Sequence, residues 1–165
     1  MKKILALFLL VIVTTNCEKD DICPETTATT PKLIIRFYDI TEQTETSRVL
    51  SLQVQGVDND DPYLLASSTD SLPLPLKTYE NSTSFYLHKE YAVDNSGNIS
   101  GNEDIINIEY STEEVYVSRA CGYKTIYNNV TLTVENDGDN WIELIQIENP
   151  LTVDNETAAH VKIFH

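Results

Sequence analysis

The residue with the clearest chemical potential is Cys17, which follows an apolar run near the start of the chain. Residues 4–13 are apolar without interruption, and Lys2 and Lys3 give the segment a positive start. This layout is typical of a signal peptide, and the run is shorter than the roughly 20 apolar residues of a spanning helix. We expect residues 1–16 to be removed and the Cys17 thiolate to accept a lipid, whose acyl chains then bind the membrane.

Two short motifs next to this cysteine favour a lipid anchor. Residues 13–17 resemble a bacterial lipobox, although two positions depart from its usual pattern. Lys19, Asp20 and Asp21 resemble the surface-export signal of Bacteroidota lipoproteins, in which acidic residues follow a lysine. The resemblance implies an outer-membrane location, at the cell surface or otherwise facing the periplasm. The alternative for the charged residues is a hydrated linker that keeps the tether extended.

The cysteine count predicts one disulfide. The chain has three cysteines, and if Cys17 carries lipid, Cys23 and Cys121 remain as a pair. Proteins exported to an oxidising compartment form disulfides readily, so we expect these two to be bonded. The alternative is that Cys17 itself pairs with another cysteine.

Charge and length limit the function classes. Removal of residues 1–16 takes away Lys2 and Lys3 and no acid, which changes the formal net charge from −15 to −17. Such a chain repels phosphate backbones, so we expect no nucleic-acid partner, and membrane binding must depend on the acyl chains. We divide the chain into a signal peptide (1–16), an acylated tether (17–31) and one domain (32–165).

Recognisable catalytic motifs are absent from the sequence. It contains no Gly-x-Ser-x-Gly, His-Glu-x-x-His, Cys-x-x-Cys or phosphate-binding glycine loop, and its histidines do not have metal-ligand spacing. We expect no enzyme activity, no cofactor and no metal. The alternative is a small glycan-acting envelope hydrolase with paired carboxylates, since acids are abundant.

An acidic segment at residues 137–140 suggests a calcium site as a further alternative. Asp137, Asp139 and Asn140 offer oxygen ligands, but the Asp-Gly-Asp-Asn segment also fits a hairpin turn and lacks the distal glutamate of an EF-hand. We favour the turn.

One modification motif stands outside these groups. Asp70-Ser71-Leu72 resembles the acceptor for O-glycosylation of exported Bacteroidota proteins, with Ser71 as the modified residue.

Apolar residues alternate along most of the domain, which predicts strands and no convincing helix. Leu50, Leu52 and Val54 should share one face, as should Val130, Leu132 and Val134. With turn residues between segments, the pattern predicts an antiparallel β-sandwich of about seven or eight strands, immunoglobulin-like in architecture. The predicted segments are 33–37, 50–54, 84–89, 105–110, 114–118, 129–135, 141–148 and 160–164.

Two segments break the simple pattern. The apolar positions change parity within 141–148, which predicts a bulged or doubly buried central strand. Pro73 and Pro75 remove two backbone donors from residues 72–76, which therefore form an edge strand or an extended connection.

A non-catalytic binding or structural module on the outer membrane is the function that we favour for such a domain. Exposed tyrosines would provide contacts to a glycan or an envelope protein, although any one of them is more often used for cross-strand packing. The candidates are Tyr63, Tyr79, Tyr86, Tyr91 and Tyr127.

Four segments together resemble an uncharacterised family of small flavobacterial-type lipoproteins. They are Thr30 to Ile35, Ser118 to Tyr123, Asn140 to Ile142 and His160 to His165. The resemblance covers most of residues 17–165. It implies lipoprotein topology and a disulfide-capable cysteine pair, and it implies no activity.

Overall fold

Nine β-strands make up the regular structure of the residues that the structure describes. The computed structural model describes residues 22–147 and 150–165, in which no helix is long and apolar enough to cross a membrane. The strands are β1 (Leu33–Tyr38), β2 (Val49–Gly56), β3 (Pro62–Thr69), β4 (Ser71–Leu74), β5 (Ser82–Val93), β6 (Ile99–Ser118), β7 (Gly122–Val134), β8 (Leu144–Ile147) and β9 (Val161–Phe164).

The strands form two sheets, which confirms the predicted β-sandwich. One sheet has the order β4-β1-β9-β8, and the other has the order β3-β2-β5-β6-β7. All pairs are antiparallel except β1 and β9, which run parallel with Ile35 opposite Val161. The first and last strands of the domain are therefore neighbours, and the sandwich is mixed rather than wholly antiparallel.

The hydrophobic core lies between the inner faces of the two sheets. Phe37 of the smaller sheet packs on Trp141 with ring centroids 6.1 Å apart, and the Trp141 indole donates to the backbone carbonyl of Leu87 in the larger sheet. The hydroxyl of Tyr127 donates to the carbonyl of Leu76. Burial raises the pKa of the Tyr127 phenol to about 12, so this donor keeps its proton.

A bulge in β2 places Leu50 on a different face of the strand from the one that the sequence predicted. Ser51 has a φ of 46°, and the register with β3 shifts between Val49 and Leu52. Val49 and Leu52 are both buried, whereas Leu50 is 55% exposed. The predicted alternation was therefore wrong at Leu50, because a bulge inserts a residue and reverses the parity of those before it.

The parity change in 141–148 has a different origin from the predicted one. Trp141 and Ile142 are buried but precede β8, which is an edge strand and not the central strand that the sequence suggested. The buried carboxylate of Asp104 on β6 accepts the backbone N–H groups of Trp141 and Ile142, at 3.3 and 2.9 Å. This connection also replaces the expected hairpin at 136–140, since β7 and β8 lie in different sheets.

Other differences concern where strands start and stop. The predicted segments 105–110 and 114–118 belong to one strand, β6, whose mostly exposed second half forms a hairpin with β7. Strand β3 was not predicted, because its residues are nearly all exposed or half-buried and give no alternation. Strand β4 lies at a sheet edge, as its prolines predicted.

Candidate functional site

A row of polar side chains crosses three neighbouring strands on the outer face of the larger sheet. His88 of β5 is the register partner of Gln53 on β2 and of Glu103 on β6. Directly opposed residues share a face, so these three side chains lie side by side. In the next row Tyr86 is opposite Gln55. The inner-face neighbours in β2 and β5, such as Leu52, Val54 and Leu87, are buried and apolar, which fixes the outward direction of these rows.

A β-bulge closes one end of the row. Glu90 has a φ of 57°, the register of β5 with β6 shifts between Lys89 and Ala92, and Tyr91 stands edge-on to the His88 ring with centroids 5.0 Å apart. Gly101 on β6 allows the bulged backbone of β5 to lie close to β6, because a Cβ at this position would come within 2.4 Å of the Lys89 carbonyl oxygen. The positive φ of 119° at Gly101 also favours glycine.

The imidazole of His88 is held in a defined position. Its side chain is only 12% exposed, and Nδ1 lies 3.4 Å from the Glu103 carboxylate. Nε2 is fully enclosed and has no hydrogen-bond partner among the described residues. An enclosed ring nitrogen without a partner is uncommon in folded proteins, and in this arrangement no group the size of a water molecule reaches it from solvent.

The side chains around His88 line a cleft of about 150 Å³. Its walls are formed by Gln53, Gln55, Tyr86, His88, Tyr91, Ile99 and Glu103. This is smaller than the roughly 300 to 1,000 Å³ of an enclosed small-molecule site, so the cleft suits one protruding unit of a larger ligand. Beside it, Tyr63 and Leu65 of the edge strand β3 are exposed.

A larger groove of about 550 Å³ lies beside β8 and β9. Most of the residues that line it, including Leu151, Asn155 and Thr157, belong to the loop between those strands. The cleft around His88 is instead built from paired strands, which hold side chains more exactly than loops do. The cleft is therefore the better candidate for specific recognition.

The chemistry of the cleft is that of polar recognition. Two amides, an imidazole and a carboxylate can exchange hydrogen bonds with hydroxyl groups, and two phenol rings offer apolar faces. The described lining contains one carboxylate, Glu103, whereas a glycosidase needs two. No group of three or more His, Cys, Asp or Glu within residues 22–147 and 150–165 is arranged to hold a metal ion.

The predicted anchor residues lie mostly outside the described part of the chain. The described residues do not include residues 1–16, Cys17, Lys19, Asp20 or Asp21. Cys23 and Cys121 are described, and they are joined by a disulfide with an Sγ–Sγ distance of 2.05 Å. The bridge holds the segment before β1 against the β6–β7 hairpin.

The calcium alternative receives no support from the acidic turn. Asp137 accepts the backbone N–H of Asp139, and the Asn140 amide donates to the carbonyl of Glu135. These side chains are used to satisfy the backbone of the connection between the sheets.

Ser71 and the tyrosines differ in accessibility. Ser71 is half-buried at the start of the edge strand β4. Tyr63 and Tyr79 are exposed, Tyr86 and Tyr91 are half-buried at the cleft, and Tyr127 is fully buried. Tyr127 is therefore a core residue, and its prediction as a contact residue was wrong because a bulge at Asn129, with a φ of 54°, shifts the parity of β7.

Comparison with known protein families gives one match. A family of unknown function, DUF6452, matches residues 51–165, which contain the cleft and all strands except β1 and part of β2. The chain belongs to the DUF6452 family. The match places β3 to β9 and most of β2 within the DUF6452 region and assigns no activity to it. No curated protein and no solved structure matches the chain significantly.

Sequence reasoning missed His88, Glu103 and Gln53 as a group. The alternation of Leu52 and Val54 places Gln53 on the opposite face of its strand, but the register that brings His88 beside Gln53 depends on pairing between strands. The useful signal was a histidine at an outward position of a strand, next to a glycine-containing strand that forms a hairpin with it.

Proposed function

We propose that the protein is a non-catalytic binding module of the cell envelope, anchored to the outer membrane through acyl chains on Cys17. Its ligand is a neutral, hydroxyl-rich group, such as the terminal unit of a glycan, and it binds in the cleft around His88. The observation that carries the binding proposal is the row of Gln53, His88 and Glu103, flanked by Tyr86 and Tyr91.

The charges of the cleft favour a neutral ligand. Glu103 repels an anionic group, and the acidic surface of the chain adds to this repulsion. Amides and carboxylates form paired hydrogen bonds with neighbouring hydroxyl groups, while tyrosine rings contact the C–H faces of sugars.

A glycan array probed with the exported protein, released from its membrane with detergent, tests the proposal. Neutral oligosaccharides should bind and acidic ones should not, and Gln53→Ala should weaken the affinity for the best hit at least tenfold, which corresponds to about 1.4 kcal/mol. Tyr91→Ala should have a similar effect.

The matched control is Glu109→Gln, an exposed carboxylate on the same strand as Glu103 but outside the cleft. It should bind like the unsubstituted protein. An array without hits, or equal weakening by Glu109→Gln and Gln53→Ala, would contradict a site at His88.

A further inference from the structure

The free end of the β6–β7 hairpin presents an exposed aromatic pair. Tyr116 and Tyr123 are cross-strand partners whose rings meet edge-to-face at 5.4 Å, and they are 59% and 65% exposed. Ile22 is 76% exposed and immediately precedes Cys23, which is bonded to Cys121 in the hairpin turn. Three large apolar side chains thus remain uncovered around one disulfide.

The disulfide also fixes how far this end of the molecule can lie from the anchor. Six residue steps separate Cys17 from Cys23, and a fully extended chain covers at most about 3.6 Å per step, or about 22 Å. Strand β6 alone has 20 residues, about 66 Å at 3.3 Å per residue. The hairpin end is therefore held near the lipid, whereas the opposite end of β6 can lie far from it.

The charge at the hairpin end is compatible with contact between this end and a lipid surface. Residues 115–124 include Arg119 and Lys124 and no acid, in a chain with 26 acids. The nearest acids along the strand are the exposed Glu113 and Glu114, and the tether adds its own acids. Electrostatic attraction is therefore weak, and aromatic contact with the interface must contribute most. Tyrosine is enriched at the level of lipid head groups.

We propose that Tyr116, Tyr123 and Ile22 insert into the head-group region of the membrane that carries the anchor, so that the sandwich stands on its β6–β7 hairpin. This inference rests on the proposed acylation of Cys17. In this orientation the cleft, near the β5–β6 end, points away from the membrane toward its ligand.

Fluorescence quenching by brominated lipids tests the contact. The protein is expressed with its first 16 residues in a bacterial host that processes lipoproteins, extracted with detergent and reconstituted in phosphatidylethanolamine and phosphatidylglycerol vesicles. One variant carries Tyr116→Trp and the other carries Ile99→Trp. Both positions are exposed and lie on the same strand, 17 residues apart. Trp141 is buried and gives the same background in both, measured with the unsubstituted protein.

Brominated acyl chains should quench at least half of the fluorescence added by Tyr116→Trp and less than a tenth of that added by Ile99→Trp. The fluorescence added by Tyr123→Trp should be quenched as strongly as that added by Tyr116→Trp. Agreement between the two variants shows that the quenching is not a local effect of one substitution. Flotation of the same samples separates the two proposals. Protein that floats with the vesicles but shows equal quenching at both positions overturns the membrane contact alone, and protein that does not float overturns the anchor and the contact together.

Discussion

His160 joins the beginning and the end of the domain through two hydrogen bonds. Its Nδ1 accepts the backbone N–H of Ile34 at 2.8 Å, and its own backbone N–H donates to the carbonyl of Ile34. The first bond requires Nδ1 to be unprotonated. Burial lowers the pKa of His160, while a backbone hydrogen bond at Asn155 and the nearby Asp154 and Glu156 act in the opposite direction. The neutral ring is therefore part of the folded structure.

The sign of the resulting pH dependence follows from proton binding. Below about pH 6.5 the unfolded chain binds a proton at this histidine more readily than the folded chain does, so the free energy of unfolding falls as pH decreases. Burial lowers the pKa of His165 as well, with Lys89 acting in the same direction. Denaturant unfolding should show a lower midpoint at pH 5.5 than at pH 7.5.

Replacement of His160 by asparagine isolates its share of this loss. In His160→Asn the amide oxygen can still accept the Ile34 N–H but does not titrate, so we expect stability at pH 7.5 to be within about 1 kcal/mol of the unsubstituted protein. The decrease toward pH 5.5 should be smaller. Lys162→Gln, an exposed neighbour in β9, should keep the full decrease. An unchanged decrease in His160→Asn would exclude this histidine as its source.

Residue types alone predicted few of the roles that individual side chains have. The pairing of Cys23 with Cys121 followed from a count, because only two cysteines remain after lipidation of Cys17. The role of Asp104 did not, since a buried carboxylate that accepts two backbone donors looks in the sequence like any other acid. His88 and Glu103 became a pair only through strand register.

At the scale of elements, the disulfide is the main tie between the segment before β1 and the larger sheet. Besides the bridge, the Thr125 backbone N–H donates to the Thr30 hydroxyl. The bridge spans a sequence separation of 98 residues. Cross-linking a loop of that length removes entropy from the unfolded chain, up to about 4.7 kcal/mol in the chain-entropy model.

The double variant Cys23→Ala, Cys121→Ala should therefore lose about 2 to 5 kcal/mol of unfolding free energy, measured by urea denaturation. Reduction of the unsubstituted protein provides the control, because it should lower stability by a similar amount and leave the double variant unchanged. A double variant as stable as the oxidised protein would mean that the bridge does not constrain the unfolded chain.

Strands were predictable from the sequence where one face is buried and the other is exposed to solvent. Strand β1 and the first part of β5 alternate cleanly and were found from their pattern. Strand β9 was also found, although the adjacent Ile163 and Phe164 are both buried. Strand β3 was missed, because none of its residues is buried and its sequence carries no burial signal. The outer half of β6 was found at 114–118, but as a strand separate from 105–110. Bulges at Ser51 and Asn129 changed faces without any apolar signature.

The whole molecule combines an acidic sandwich with one end fixed by a disulfide next to the tether. Its two-sheet architecture was predictable from composition, turns and alternation. The parallel pairing of β1 with β9 was not, since it joins the two ends of the domain and depends on closure of the whole chain. The proposed anchor, the contact of the β6–β7 hairpin with lipid and the outward cleft all require Cys17 to carry acyl chains.

Intact mass spectrometry of the detergent-extracted protein, expressed with its own first 16 residues in a bacterial host that processes lipoproteins, tests this most directly. We predict a mature chain that begins at Cys17 and carries acyl groups on that residue, and a Cys17→Ser control that is not acylated and not released from the signal segment. A chain that begins elsewhere, or that begins at Cys17 without added lipid mass, would contradict the anchor.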